Sequence, residues 1–493
     1  MCATFATLSF EKSMKKIVGI CFFFALILQT SSFAQSKKWT LEECVQYALE
    51  HNITIKQTEL DSQISQLDKS TAIGNFLPSI NGTATHSWNI GLNQNITTGL
   101  LENQTTQFTS AGLNAGIDIY KGLQNQNRFR RAQLSIIGAQ FQLLKIKDDI
   151  ALNVANAYLQ ILFNIENLKV QQEQLAIDEK QLLRTEELVT SGSLPKGDIL
   201  DIKATVAGDK QRIISAENTL LISKLSLAQL LQLEKFQDFD VAEVKNEAKQ
   251  SDVMLQTPEA ILAKARENRM ELKIAKNNVS IAEKDVKIAQ GAYQPTIQGF
   301  YSFSTRASYA DRITGIQIDQ LNPVVPNGSF VNVAGTNFDV FEANRSFVFG
   351  KAAPIFDQFS DNKGHNFGIQ MSLPILNGFS ARNNVARNKI SLVKSKLALD
   401  QSEQDLERTI FTVYTDANGA LKAYESAKQA LEARENAYNY AKERYAVGMM
   451  NAFDFNQSQS LYANAQSEVL RTKYDFIFRT KIVEFYFGLP IIK

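Results

Sequence analysis

Residues 41–48 read Leu-Glu-Glu-Cys-Val-Gln-Tyr-Ala, and residues 258–265 read Pro-Glu-Ala-Ile-Leu-Ala-Lys-Ala at the same place in a second copy. These octapeptides open blocks that align without a gap, and a second pair of blocks follows. The blocks are 41–80 with 258–297, and 122–198 with 378–454. A repeat of this size is far longer than the roughly 20 to 50 residues of solenoids and propellers. The chain is therefore predicted to consist of two similar halves.

The N-terminus has the pattern of a secretory signal peptide. The pair Lys15-Lys16 precedes an apolar run, 17–28, and the tripeptide 32–34 (Ser-Phe-Ala) supplies a small-x-small cleavage site. The run is too short to span a bilayer comfortably. Residues 1–34 are predicted to be removed on export, with translation starting at the first or the second methionine.

Composition excludes several classes of function. The formal net charge is +1 and basic residues are not clustered, so we expect no nucleic-acid partner. The mature chain would keep Cys44 alone of three cysteines, which leaves no internal disulfide. His51, His86 and His365 are scattered and give no metal-ligand spacing with Cys44. Because no phosphate loop or nucleophile motif occurs, we expect no cofactor, no metal and no enzymatic activity.

Each half is predicted to run helix, strand, strand, very long helix, turn, helix. The first helices, 41–74 and 258–290, stop before Pro78 and Pro295. After each proline the apolar period changes to two. The clearest runs are Ile80, Gly82, Ala84, His86, Trp88, Ile90; Ala111, Leu113, Ala115, Ile117, Ile119; and Phe367, Ile369, Met371, Leu373, Ile375.

Such alternation fits a strand with lipid on one face and water on the other. It fits a half-buried strand of a soluble protein equally well, so the pattern alone does not choose between them. Polar loops are predicted at 91–109 and 307–364. After the signal peptide no run of about 18 apolar residues occurs, which leaves a periplasmic or secreted protein or an outer-membrane barrel.

The long helices are predicted at 123–189 and 379–446, without a proline in either. At 1.5 Å per residue each is a rod of roughly 100 Å. Heptad tracks run through Ile137, Leu144, Ala151, Tyr158, Ile165; Val154, Ile161, Leu168, Leu175, Leu182; and Ile410, Ala417, Tyr424, Leu431, Tyr438. A seven-residue period held this long predicts helices packed as coiled coils.

Each rod ends at a glycine-centred turn, 191–195 and 447–450, and return helices run to about residues 233 and 487. We divide the mature chain into a first repeat (35–233), a charged peripheral linker (234–257) and a second repeat (258–493). The fold class is α+β with an internal duplication. Four strands are too few to close a barrel, which needs at least about eight. Because open edges are forbidden in lipid, membrane strands here would require several chains.

Several features of the chain occur together in one known family. They are the doubled order of elements, the junctions Leu77-Pro78-Ser79-Ile80, Gln294-Pro295-Thr296-Ile297 and Leu373-Pro374-Ile375-Leu376-Asn377-Gly378, and Tyr445-Ala446-Val447-Gly448 before Asp454. In these features the chain resembles the TolC outer-membrane efflux family. The resemblance covers essentially the whole mature chain. It implies a homotrimer with a 12-stranded β-barrel in the outer membrane, four strands per chain, continued by a long α-helical coiled-coil tunnel across the periplasm.

The resemblance also implies a pore gate at the hairpin tips. Asp454 falls on an acidic gate position with Asp198 as its partner in the first repeat, and Tyr445 matches a tyrosine between the coils. Met450 stands where an arginine is frequent, and Gln457 stands where the first repeat keeps Asp201. We expect a thinner or differently placed acidic ring, and helix capping explains Asp198 and Asp454 equally well. We also expect exposed Leu194, Met449 and Met450, with Gly192 and Gly448, to dock an adaptor.

The function implied is an outer-membrane exit duct that passes small toxic compounds from an inner-membrane pump and a periplasmic adaptor. One alternative keeps the duct but changes the cargo to polypeptides secreted by a type I system. Another is a structural coiled-coil protein of the envelope, which would not need paired amphipathic strands.

Overall fold

The structure is a computed structural model that describes residues 38–95, 99–237, 239–242 and 251–490. The predicted signal peptide lies outside them. The helices are α1 (Leu41–His51), α2 (Ile53–Gly74), α3 (Gln124–Thr190), α4 (Gly197–Leu231), α5 (Pro258–Asn268), α6 (Met270–Gln290), α7 (Ile355–Asp361), α8 (Ser380–Ala446) and α9 (Ala452–Phe487). The strands are β1 (Lys38–Trp39), β2 (Ser79–Gln94), β3 (Leu101–Lys121), β4 (Asp240–Val241), β5 (Thr296–Ser308), β6 (Arg312–Ile318), β7 (Val324–Val333), β8 (Thr336–Ala343), β9 (Arg345–Gly350) and β10 (Gly364–Ser372).

The long helices are confirmed. Both α3 and α8 contain 67 residues, which is about 100 Å of helix at 1.5 Å per residue. None of the helices in the described part of the chain combines the length and hydropathy needed to cross a membrane.

The first helix of each half, predicted as continuous, is instead broken at one residue. Asn52 and Arg269 occupy equivalent places in the two repeats, and both have extended backbone (ψ 129° and 130°) between helical segments. Asn52 stabilises the break because its Nδ2 donates to the carbonyl of Leu230 at 3.0 Å and its Oδ1 accepts from the amide of Thr54 at 2.9 Å. Arg269 stacks its guanidinium on Phe485, 4.0 Å from the ring centre. Both breaks are held by tertiary partners, which helical periodicity does not reveal.

Four antiparallel strands form one sheet in the order β10-β5-β3-β2. Pro78 and Pro295 stand directly before β2 and β5, and Pro374 lies between β10 and α8. The prediction of a loop at 91–109 is wrong, because β2 and β3 pair with each other as far as Gln94 and Leu101. Backbone pairing there outweighs the Asn- and Thr-rich composition that suggested a loop.

The register of the sheet separates apolar from polar side chains. One row across the four strands reads Ile80, Ala115, Tyr301, Phe367, and the adjacent row reads Asn81, Asn114, Ser302, Asn366. Successive residues of a strand point to opposite faces. The apolar row therefore lies on one face and the polar row on the other.

The segment 307–364, predicted as a loop, contains further structure. Strand β6 pairs with β9, β7 pairs with β8, and α7 precedes β10. The alternation of Val and Phe with polar residues in β7 and β8 suits an antiparallel hairpin.

The described residues divide into two compact units, and each draws on both predicted repeats. The first unit takes in the described parts of Met1–Ser62, Ala139–Ala275 and Ala398–Lys493. Its largest apolar core surrounds Tyr158, whose hydroxyl donates to the carbonyl of Ala242 at 2.7 Å. The second unit, Gln63–Gly138 with Lys276–Leu397, holds the four-stranded sheet and the two strand pairs β6–β9 and β7–β8.

The predicted linker, 234–257, lies partly outside the described residues. At its described ends it is packed rather than peripheral. Phe239 and Val241 join the core around Tyr158, while Val253 and Met254 join a second core with Ile410. These four side chains are apolar, which explains their burial. The prediction of an exposed segment came from the charged residues around them in the sequence.

The heptad tracks are buried only in part. Val154, Ile161 and Ala417 are buried, as the tracks predict. Ile137 and Leu144 remain 40% and 46% exposed in the single chain. Apolar positions of a coiled-coil track normally face another helix, so these two are available to a neighbouring molecule.

Candidate functional site at the hairpin turns

The two long helices end in turns of the same construction. Gly192 and Gly448 have φ of +79° and +77°. The amide of Ser193 donates to the carbonyl of Leu188, and that of Met449 donates to the carbonyl of Arg444, both at 2.8 Å. This six-to-one bond with glycine in the left-handed conformation is a Schellman motif. The duplicated sequence thus gives a duplicated helix stop.

Of the three apolar side chains predicted to be exposed at the turns, Met449 is exposed (71%). The prediction is wrong for Met450, which is half-buried against a small core that includes Tyr438 and Phe455. It is also wrong for Leu194, which is half-buried. Sequence patterning missed this because the apolar partners of Met450 come from the flanking helices α8 and α9.

The aspartates predicted for the gate lie at the starts of the return helices. Asp198 is in the first turn of α4, whose N-cap residue Lys196 makes no side-chain capping bond, and Asp201 is exposed one turn later. Asp454 is exposed at the third position of α9. Its amide donates to Asn451 Oδ1 at 2.8 Å, and its Oδ2 accepts from Asn451 Nδ2 at 3.0 Å. Asn451 is therefore the cap, and the aspartates stand where the helix dipole favours negative charge.

Tyr445 packs on the second turn. Its ring stacks on Phe455 with centroids 4.7 Å apart and planes 11° apart. Its buried hydroxyl has no hydrogen-bond partner among the described residues. Gln457 is exposed on α9, one turn after Asp454. Within the described chain, no ion pair or hydrogen bond joins Asp198, Asp201 or Asp454 to one another.

A buried polar cluster farther along the same helices escaped sequence reasoning. Asp178 on α3 is 1% exposed and accepts hydrogen bonds from Gln174 Nε2 at 2.8 Å and Gln459 Nε2 at 2.7 Å. Asp209 on α4 is 2% exposed and is bound by Arg212 through one carboxylate oxygen. A signal was present, because Gln174 and Asp178 take interior helix positions next to a leucine track. The heptad tracks traced in the sequence did not include these two polar residues.

Buried Cys44 offers no reactive thiol, because burial and then Glu43 raise its pKa to about 12. In the described ranges no three His, Cys, Asp or Glu side chains form a group able to hold a metal ion.

Comparison with known proteins shows which family the sequence matches. The sequence model described as "Outer membrane efflux protein" matches residues 44–232 and 261–477. The chain is 21% identical over 469 residues to the Outer membrane protein TolC of Escherichia coli K12, covering 94% of this chain and 84% of that protein.

The fold also matches solved structures of outer-membrane proteins. VceC of Vibrio cholerae superposes with a TM-score of 0.70 at 14% identity, covering 92% of this chain and 96% of that one. The MtrE outer membrane channel of Neisseria gonorrhoeae, solved in its open state, gives a TM-score of 0.64 at 16% identity, with coverage of 91% and 88%.

Proposed function

The chain belongs to the outer membrane efflux protein family, and we propose that it is the outer-membrane exit duct of a tripartite efflux system. In this role a periplasmic adaptor would join it to an inner-membrane pump, and small toxic compounds would be its cargo. The observation that carries the proposal is a sheet with one exposed apolar face and two open edges, attached to duplicated helical hairpins. The duct would work by passage alone, without catalysis.

The exposed apolar face supports strands in lipid. Ile80, Ile90, Phe367 and Ile369 are between 69% and 82% exposed although they lie on β2 and β10. A soluble sheet would cover such side chains with a core. A lipid-facing barrel leaves them outward, with its polar face toward water.

The open edges support an oligomer, and the family resemblance sets the number of copies at three. Strands β2 and β10 form the edges of the four-stranded sheet, and each unpaired backbone group in lipid costs several kcal/mol. Three copies related by a closed symmetry would pair every edge and give 12 strands. The exposed Ile137 and Leu144 of α3 would then pack between copies.

The alternative cargo is polypeptide, delivered by a type I secretion system. The same duct would serve, since the pump selects the cargo. Genes encoding an adaptor and a resistance-type pump beside this gene favour the proposal, whereas an ABC transporter beside a secreted substrate favours the alternative. The family match favours either channel over a structural coiled-coil protein of the envelope.

Deletion of the gene tests the proposed function. The deleted strain should become sensitive to compounds that the wild type exports, and the wild-type gene should restore resistance. Gly448→Val should restore trimer and barrel but not resistance, because a β-branched residue resists φ of +77° and distorts the turn proposed to dock the adaptor.

Gly335→Val is the matched control, since it strains a positive-φ turn (+90°) between β7 and β8. It should restore resistance. Unchanged sensitivity of the deleted strain to every compound tested, together with lost secretion of a polypeptide, would replace the proposal with the alternative. Full resistance with Gly448→Val would remove that turn from the docking surface.

A further inference from the structure

Asp178 and Asp209 bring two carboxyl groups together inside the helical hairpins. Both are almost completely buried, and the next residues on the two helices, Glu179 on α3 and Lys210 on α4, form an ion pair at 3.2 Å, which places the two aspartates opposite each other. A hydrogen bond with Asp209 is among the causes that raise the pKa of Asp178. Two carboxylates cannot bond to each other without a proton, because ionised carboxyl oxygens only accept. Asp209 Oδ2 is buried and has no donor among the described residues. Asp209 Oδ2 therefore lacks one hydrogen-bond donor, which a protonated carboxyl group would supply.

The surrounding groups assign that proton to Asp178. Arg212 binds Asp209 Oδ1 and balances its charge. Asp178 is bound by the side-chain amides of Gln174 and Gln459, which are neutral. A buried carboxylate without a cation is strongly disfavoured, so the carboxyl that lacks an arginine is the one to be protonated.

The remaining titratable groups around the pair do not offset its charge. On α8, Tyr438 faces Asp178, and burial and then Asp178 raise the pKa of its phenol. On α9, Tyr462 stacks on Tyr438 with centroids 5.2 Å apart, and burial and then Glu435 and Glu173 raise its pKa. A raised pKa favours the neutral form of both phenols. Arg212 is the cation that contacts the pair in the described structure.

We propose that Asp178 and Asp209 hold one proton between them and that this proton locks α3 against α4 and α9. Protonated Asp178 donates to Asp209 Oδ2 and keeps its bond from Gln459 Nε2, so side chains of three helices meet in one hydrogen-bonded cluster. Loss of the proton leaves two carboxylates in contact in a buried site, where they repel. The seam between the helices then opens more readily. If the proposed duct function holds, the hairpins are tighter in acid than at neutral pH.

The direction of the pH effect follows from the folded protein. Burial and then the hydrogen bond with Asp209 raise the pKa of Asp178 from its ordinary value to about 7. A raised carboxyl pKa adds stability that is complete below the ordinary value and is lost as pH rises through the folded value. The locked state is therefore favoured at pH 5 and is weakened as the pH rises through 7, and this pair adds no further change once Asp178 is fully ionised.

Hydrogen exchange of the purified whole protein in detergent tests the lock without depending on transport. Peptides covering 170–185 and 203–215 should lose protection by up to about tenfold per pH unit from pH 5 to 7, after correction for intrinsic exchange, since one proton is released. Asp178→Asn supplies a permanent N–H donor and should abolish this dependence. Glu179→Gln, which removes a neighbouring exposed carboxylate paired with Lys210, should retain it.

Two further measurements keep the outcome decisive. Wild-type protein at pH 6 should show an infrared carbonyl band of a buried protonated carboxyl that is absent from Asp178→Asn. Asp209→Asn should move the pH dependence to lower pH, because an amide donor would then stabilise ionised Asp178. A wild-type profile flat from pH 5 to 7, or the same profile in Asp178→Asn, would overturn the proposal. Failure of the resistance test would leave it standing.

Discussion

At the residue scale, the turn glycines could be predicted and the buried carboxyl pair could not. Gly192 and Gly448 follow uninterrupted helical patterns and occupy equivalent places in two repeats, so each supports the interpretation of the other. The burial of Asp178 depends on Gln459, which lies on α9 and is remote in the sequence. No local pattern encodes such a partner. Leu194 and Met450 were assigned to the surface for the same reason.

The acidic gate remains a prediction that the single chain does not test. Three copies of Asp454 around one axis would give a negative constriction that attracts cations and hinders anions. Asp454→Asn should lower the cation-to-anion permeability ratio in planar bilayers by a factor of about 2 to 5, since a unit charge a few ångströms away is worth about 1 kcal/mol in water. Block by multivalent cations should weaken in parallel.

Asp454→Glu is the control, because it keeps the charge and should keep the selectivity. The amount of trimer should be the same in all three proteins, since Asn451 caps α9 and an asparagine at 454 can still accept its bond. If Asp454→Asn leaves selectivity and block unchanged, and replacing Asp198 and Asp201 as well has no effect, the aspartates act only on the helix starts.

At the scale of elements, helix ends were predictable and connections were not. Apolar periodicity with proline and glycine stops located the ends of α3, α6 and α8, because these signals are local. Composition misjudged the β2–β3 connection and the insert 307–364, because Asn- and Thr-rich stretches also form strands when a partner pairs with their backbone. The breaks at Asn52 and Arg269 depend on distant residues in the same way.

Replacing equivalent glycines of the two repeats by alanine is predicted to have different effects on stability. A Cβ on Gly291 would press into the backbone carbonyl of Gly122 and the side chain of Gln124, whereas a Cβ on Gly74 would meet no atom within 4 Å. Gly291→Ala should therefore destabilise the protein by about 1 to 3 kcal/mol through overpacking. Gly74→Ala, at a helix end, should be neutral or stabilise it by up to about 1 kcal/mol.

Thermal unfolding of the purified variants compares the two. Gly291→Ala should have the lower midpoint, and Gly74→Ala should match or exceed the wild type. Equal midpoints in the two variants would show that the close approach of the 3₁₀ turn Gly291–Tyr293 to Gly122 relaxes without cost.

At the scale of the whole molecule, the duplication and the unpaired sheet edges lead to one architecture. Membership of the family explains the outer-membrane channel fold. The exposed apolar face and the two open edges explain why one chain cannot form the barrel alone. Sequence alone established that four strands cannot close a barrel. It did not decide whether the apolar faces of the strands contact lipid or a soluble core, because the apolar residues alternate in the same way in both kinds of strand. The register and exposure of the apolar rows favour lipid.

The central claim is that several copies of this chain form one membrane duct, and the mass of the detergent-extracted complex tests it most directly. Native mass measurement of the mature protein from the outer-membrane fraction should give three copies of the chain. In such a complex every β2 edge would pair with the β10 edge of a neighbour. A stable monomer in that fraction would contradict the account, because its two open edges would have no partner in lipid.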